Sequence, residues 1–112
     1  MTMTLTFGET LFLWRRRHGW TQDELARRWK TTWRRIRDYE HDRLLHLCPK
    51  TLEDVQLAGP VLSYERCTIL RRREGLRQCD VARRIGVTTY WVRLIELGEA
   101  PVGRLEGYWV PL

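Results

Sequence analysis

Laid over itself with an offset of 56 and no gap, the chain matches residues 13–43 to 69–99 with eleven identities in 31 positions. The identical pairs are Arg15/Arg71, Arg16/Arg72, Arg17/Arg73, Gly19/Gly75, Gln22/Gln78, Ala26/Ala82, Arg27/Arg83, Arg28/Arg84, Thr32/Thr88, Arg37/Arg93 and Glu40/Glu96. An Arg-rich composition inflates such a count, but it does not produce matched Gly, Gln, Ala, Thr and Glu. Leu25/Val81, Trp29/Ile85, Ile36/Val92 and Tyr39/Ile95 are conservative pairs on top of these. An internal repeat of this kind fixes the architecture: one supersecondary unit occurs twice. Each unit has only half of 112 residues to work with. A lobe of about 50 residues buries only about 60% of the surface its unfolded chain exposes, so each is marginal alone.

The spacing within each copy is helical, and the predicted fold class is all-α. In the first copy a helix over 9–18 ends at Gly19, and Thr21 with Glu24 three residues on reads as a capping box for the next. Leu25, Ala26 and Trp29 face inward on that second helix, a tight turn falls at Lys30-Thr31, and Thr32 caps a third helix over 33–41 with Ile36 and Tyr39 inward. The second copy repeats this as 65–74, 78–85 and 89–97, with its turn at Gly86-Val87, its cap at Thr88 and its end at Gly98. No window alternates at period two for long enough to make a strand. Pro49 predicts a fourth helix over 50–57, and Ala58-Gly59-Pro60 breaks the chain. The predicted lobes are 9–58 and 61–112. Residues 1–8 read as a loose start, Pro101 as the opening of a turn or short helix, and 107–111 as an irregular apolar end. Leu11, Trp14, Trp20 and Trp29 are expected core in the first lobe, with Leu70, Leu76 and Ile85 in the second; Trp91 reads as packing or an interface anchor.

Charge points to a polyanionic partner. Twenty Lys and Arg against fourteen acids give +6, and the excess is shared: residues 1–59 carry eleven basic and eight acidic groups, residues 60–112 nine and six. All the cations but Lys30 and Lys50 are Arg, whose planar fork suits phosphate and guanine. The other chemistries are poorly served. Cys48, Cys67 and Cys79 form no short paired motif and read as reduced thiols of a cytoplasm. His41, His46 and Cys48 lack the spacing of a zinc site, so no metal is expected. Neither a nucleophile–base–acid set nor a Gly-rich phosphate loop is present, so neither enzyme nor cofactor is expected. No apolar run is long enough for a membrane span.

The segments GWTQDELARRWKTTWRRIRDYE and GLRQCDVARRIGVTTYWVRLIE resemble the Cro/phage-repressor (XRE-like) class of helix-turn-helix proteins. The shared pattern is Gly-apolar-Ser/Thr-Gln-x-x-Leu-Ala, three further residues, Gly-Val-Ser/Thr, then a helix with Ile and a terminal Glu, often followed by Gly. The resemblance covers about 31 residues of each copy. It implies two tandem lambda-repressor-like lobes and binding of double-stranded DNA. In copy one, Lys30 stands where Gly86 supplies a left-handed residue in copy two, at a steric cost of about 1 kcal/mol. Asp42 likewise stands where copy two keeps Gly98. The resemblance also implies buried Arg15/Glu40 and Arg71/Glu96 ion pairs rather than DNA contacts for those arginines. The third helix of each copy would enter the major groove. Its outward residues, by position, are Thr32, Trp33, Arg34, Arg37 and Asp38 in copy one, and Thr88, Thr89, Tyr90, Arg93 and Leu94 in copy two. Gln22 and Gln78 would reach a phosphate or base edge. Arg34 is the best single candidate for a guanine. Trp33 and Tyr90 would meet thymine methyl groups or sugars, or else a neighbouring lobe. Leu94 is a poor hydrogen-bond reader, so copy two would read mostly methyl groups or shape, and copy one, with more cations on its recognition helix, should dominate affinity.

The expectation is therefore a sequence-specific regulator, a repressor or autoregulator of phage or mobile-element type, in the cytoplasm of a bacterium or phage-infected host. Two recognition helices in one chain would make a built-in pseudo-dimer; otherwise the chain forms a homodimer. The rival reading is a protein-interaction module gripping RNA polymerase or a toxin, with Tyr90, Trp91 and Leu94 of the second lobe as its contact.

Overall fold

The computed structural model describes residues 3–109, which form seven α-helices, two short 3-10 turns and no strand. The all-α expectation holds. The chain divides into two units between Pro60 and Val61. Each is described by itself. Among the described residues no helix is long and apolar enough to cross a membrane.

The first unit opens earlier than the sequence suggests. Thr6, inside the stretch read as loose, caps α1 (Phe7–Arg17): its hydroxyl accepts from the Glu9 N–H at 3.1 Å, and Glu9 Oε1 accepts from the Thr6 N–H at 3.0 Å. That reciprocal box satisfies two donors that the first helical turn would otherwise leave unpaired. Thr21 caps α2 (Gln22–Arg28) by accepting from the Glu24 N–H, and Thr32 caps α3 (Trp33–Glu40) by accepting from the Arg35 N–H. Between α2 and α3 the chain turns through Lys30, which is left-handed at φ 55°, while the Thr31 N–H donates to Ala26 O at 2.9 Å.

In the second unit α4 (Ser63–Arg73), α5 (Gln78–Ile85) and α6 (Thr89–Glu96) repeat this plan. Gly86 takes the place of Lys30 at φ 74°, and the Val87 N–H donates to Ala82 O at 3.0 Å. Position 77 holds Arg, which has no hydroxyl to cap with; instead the Arg77 N–H donates to Asp80 at 2.9 Å, the other half of the box.

The cores obey the offset. Leu11, Leu25, Ala26, Ile36 and Tyr39 are buried together in the first unit, and Cys67, Val81, Ala82, Val92 and Ile95 in the second, each 56 residues on. The expected core tryptophans Trp14, Trp20 and Trp29 are partly buried against the first cluster, and Leu76 and Ile85 against the second. Leu70 is half-buried outside its cluster, whose α4 contribution is Cys67. The sixth core member breaks the repeat: Val55 closes the first core from a 3-10 turn, Leu105 the second from α7 (Gly103–Trp109).

These closing segments account for the remaining differences from the sequence reading. The helix expected over 50–57 is a single 3-10 turn, Leu52–Val55. The Thr51 N–H and hydroxyl both bond Asp54, closing one turn, and Val55 alone is buried in that stretch, so further turns would bury nothing. Leu45–Leu47 forms the other 3-10 turn, and the Tyr39 hydroxyl donates to Leu47 O at 3.1 Å to hold it on the core. The irregular end expected over 107–111 is helical through Trp109, because Leu105 supplies an anchor; Val110 and Pro111 lie outside the described residues. Trp91 is 42% exposed rather than packed.

One exchange explains the departure at Asp42. Position 8 of the first unit is Gly, and a Cβ there would stand 2.6 Å from Tyr39 O and 2.7 Å from Glu40 O. This close approach lets left-handed Asp42 (φ 60°) accept from the Gly8 N–H at 2.8 Å and from the Thr6 hydroxyl at 2.6 Å. Fifty-six residues on, the bulk is reversed: Tyr64 replaces the small residue and Gly98 the large one, with the Tyr64 ring 3.0 Å from where a Gly98 Cβ would sit. Gly8→Ala is expected to destabilise by about 1–3 kcal/mol through overpacking. Lys30→Gly is expected to stabilise by about 1 kcal/mol by relieving the left-handed residue. Chemical denaturation reads both; a Gly8→Ala chain as stable as the parent would refute the close approach.

Candidate nucleic-acid interface

The third helix of each unit is held by one buried polar network, built twice. Arg15 Nε and Nη2 donate to the two Glu40 carboxylate oxygens at 2.5 and 3.2 Å, and Nη1 donates to Trp20 O at 2.8 Å. Arg71 does the same to Glu96, at 2.7 and 2.9 Å, and to Leu76 O at 2.8 Å. Glu40 and Glu96 are 2% and 1% exposed, so each charge is stable there only because the fork and its hydrogen bonds are complete. Gln22 and Gln78 complete the set by donating Nε2 to Glu40 and Glu96 at 3.0 Å. The sequence reading sends these glutamines outward; the structure points their NH2 groups inward, where they tie the start of α2 or α5 to the end of α3 or α6.

With its inner face so fixed, α3 exposes Thr32, Trp33, Arg34 and Arg37, while Asp38 is half-buried. Residues 33, 34, 37 and 38 share one side of a helix with 3.6 residues per turn. Trp33 is 43% exposed, and the Arg34 and Arg37 guanidinium carbons lie 5.6 and 5.2 Å from its ring centroid. The indole face attracts both cations and limits their rotamers, so two guanidiniums are gathered at one place before any ligand arrives. Trp33 also walls an open cleft of about 460 Å³ with Arg15, Thr21, Gln22 and Asp23.

The same face of α6 differs in chemistry. Thr88, Thr89, Tyr90 and Arg93 are exposed, Tyr90 at 65%, and Leu94 is half-buried. A single cation, Arg93, remains where α3 presents Arg34 and Arg37. The second unit's flanking cations are also partly spent: Arg77 pairs with Asp80 at 3.2 Å, holding that carboxyl below its usual range, and Arg84 donates to the Tyr108 hydroxyl at 2.7 Å. Sequence reasoning placed Trp33 outward without seeing that it gathers Arg34 and Arg37, and it left Trp91 between packing and an interface anchor; the exposure of the Trp91 ring removes the packing option.

Burial pushes the Cys67 thiol up to about 11, far from the thiolate range of reactive cysteines, and burial likewise raises Cys48. Among the described residues no group of three or more His, Cys, Asp or Glu is placed to hold a metal ion.

Comparison with protein-family models, curated proteins and solved structures finds no match.

The network generates a sharp expectation. Glu40→Ala strands the Arg15 guanidinium in a buried site and should cost about 3–5 kcal/mol. Replacing both partners with apolar residues, Arg15→Met with Glu40→Leu, should recover most of that loss, because no unpaired charge remains. Denaturation of the single and double variants tests it; a double variant as unstable as the single would show that the pair supplies net stability itself.

Proposed function

We propose that this chain is a sequence-specific double-stranded DNA-binding regulator of transcription, a repressor or autoregulator of the kind found in phages and mobile elements, built from two tandem helix-turn-helix lobes of the lambda-repressor-like type. The observation that carries the reading is the exposed Trp33–Arg34–Arg37 cluster on a helix whose other face is locked by a buried ion pair. A cationic helix side presented at a fixed angle is what a major groove admits. Arg34 would take a guanine through its fork, Arg37 a phosphate or a second base, and Trp33 a thymine methyl group. Thr32 and Asp38 flank them. Thr88, Thr89, Tyr90 and Arg93 hold the equivalent places in the second lobe, with less charge and hence weaker anchoring to phosphate. Gln22 and Gln78 act mainly by positioning the helices.

The proposed setting is the cytoplasm of a bacterium or phage-infected host, and the proposed assembly is a homodimer. Supporting a dimer, Leu44, Leu45, Leu47 and Leu52 are each 37–54% exposed on the segment after α3. Arg43, Lys50, Glu53 and Asp54 are exposed on the same segment, a mixture of charges that a second copy of the patch can match.

Selection of bound sites from random duplexes, then a salt titration on the winner, tests the reading. Log K should fall with log salt at about −0.9 per phosphate contacted, a slope of about −4 to −8. Arg34→Ala should cost about 1–3 kcal/mol and relax preference at one base pair. Equal loss on all duplexes would demote Arg34 to a backbone contact, and failure to enrich any sequence would overturn the proposal.

A further inference from the structure

The second lobe carries a cleft that the duplex reading leaves unused. Ile85, Val87, Trp91, Ile95, Val102 and Arg104 line a space of about 380 Å³ between α6 and the segment entering α7. On a helical wheel Trp91 and Ile95 lie one turn apart on one flank of α6, with Thr89 and Arg93 on the opposite flank. A ligand in the cleft therefore leaves Thr89 and Arg93, on the far flank, clear for DNA. The first lobe has Arg35 at the position of Trp91, and Trp29 and Thr31 at those of Ile85 and Val87. The cleft thus belongs to the second copy.

Its chemistry specifies an occupant. The walls are apolar and one of them is an indole that is 42% exposed, the side chain most often found as an anchor in protein interfaces. Arg104 is the charged group of the lining; it is exposed, and its Nη1 makes one long bond, 3.4 Å to Ile85 O. A guanidinium has five donors, so most of its capacity is left for a carboxylate. A second copy is a poor occupant: an isologous contact through this face would set one Arg104 against the other, with no acidic group in the lining to pair them.

We propose that this cleft docks an acidic, apolar segment of another protein. An aromatic or branched side chain enters beside Trp91, and a neighbouring carboxylate accepts hydrogen bonds from Arg104. The apolar contact supplies burial and the charge supplies selection, so neither alone suffices.

The test uses the full chain, isotopically labelled, and two end-blocked pentapeptides with a central phenylalanine flanked by glutamates in one and lysines in the other. Amide shifts should saturate at Ile85, Val87, Ile95 and Val102 with the glutamate peptide and stay unmoved with the lysine peptide. Trp91→Ala should weaken binding at least tenfold with undiminished spectral dispersion, and Arg104→Glu should do the same and admit the lysine peptide. Arg34→Ala should leave peptide affinity within twofold, and Trp91→Ala should leave DNA retention within twofold, so this site and the DNA face fail or succeed separately. No shift at millimolar glutamate peptide would overturn the proposal, as would equal response to both peptides. Shifts of the same residues with protein concentration alone would assign the cleft to a second copy and overturn it too.

Discussion

The Arg–Glu fork buried in each lobe is the constraint on which the rest depends. Its arginine comes from the end of the first helix and its carboxylate from the end of the third, while a glutamine from the start of the second donates to the same carboxylate. Three helices therefore meet at one charged point. Hydrophobic contacts tolerate sliding, since an apolar side chain gains nearly as much from one neighbour as from another. A carboxylate that accepts from both arms of an arginine fork and from a glutamine does not. The fork converts an adaptable three-helix cluster into one with a fixed angle, and a helix can read a groove only if its angle is fixed.

Around this shared element the lobes have separated in surface chemistry. Five core positions recur at the offset, all but Ala26/Ala82 with apolar residues of different size, and the sixth is supplied by unrelated segments. The exchange of Gly8 and Asp42 for Tyr64 and Gly98 shows how such drift is contained, since bulk lost on one side of a helix contact reappears on the other. Outward-facing positions lack this coupling. There Trp33, Arg34 and Arg37 make one surface cationic, while Tyr90 and Trp91 make the other aromatic. The duplication preserved a scaffold and released two faces to different uses.

Much of this was legible before any coordinates. The inward faces at Leu25, Ala26, Trp29, Ile36 and Tyr39, the Thr32 and Thr88 caps, and the turn at Lys30 all follow from local stereochemistry. Arg15/Glu40 and Arg71/Glu96 were implied by resemblance and are present as bidentate pairs. The errors share one cause. Pro49 and Thr51 signal a helix start, but a start extends only if later turns bury something, and here Val55 alone is covered. Thr6 sat in a stretch with no helical period, yet Asp42 from far along the chain receives the first turn of α1. The direction of Gln22 and Gln78 turned on which partner was nearer, the buried carboxylate or the solvent.

What the sequence alone determined is the all-helical class, its duplication and the cationic bias, because helical period, capping and charge are properties of residues a few positions apart. What only tertiary structure decided is which aromatic rings are core and which are surface, and how each core is closed. Those depend on contacts between different helices and turns, and no local pattern encodes which of two equally apolar faces will find a partner.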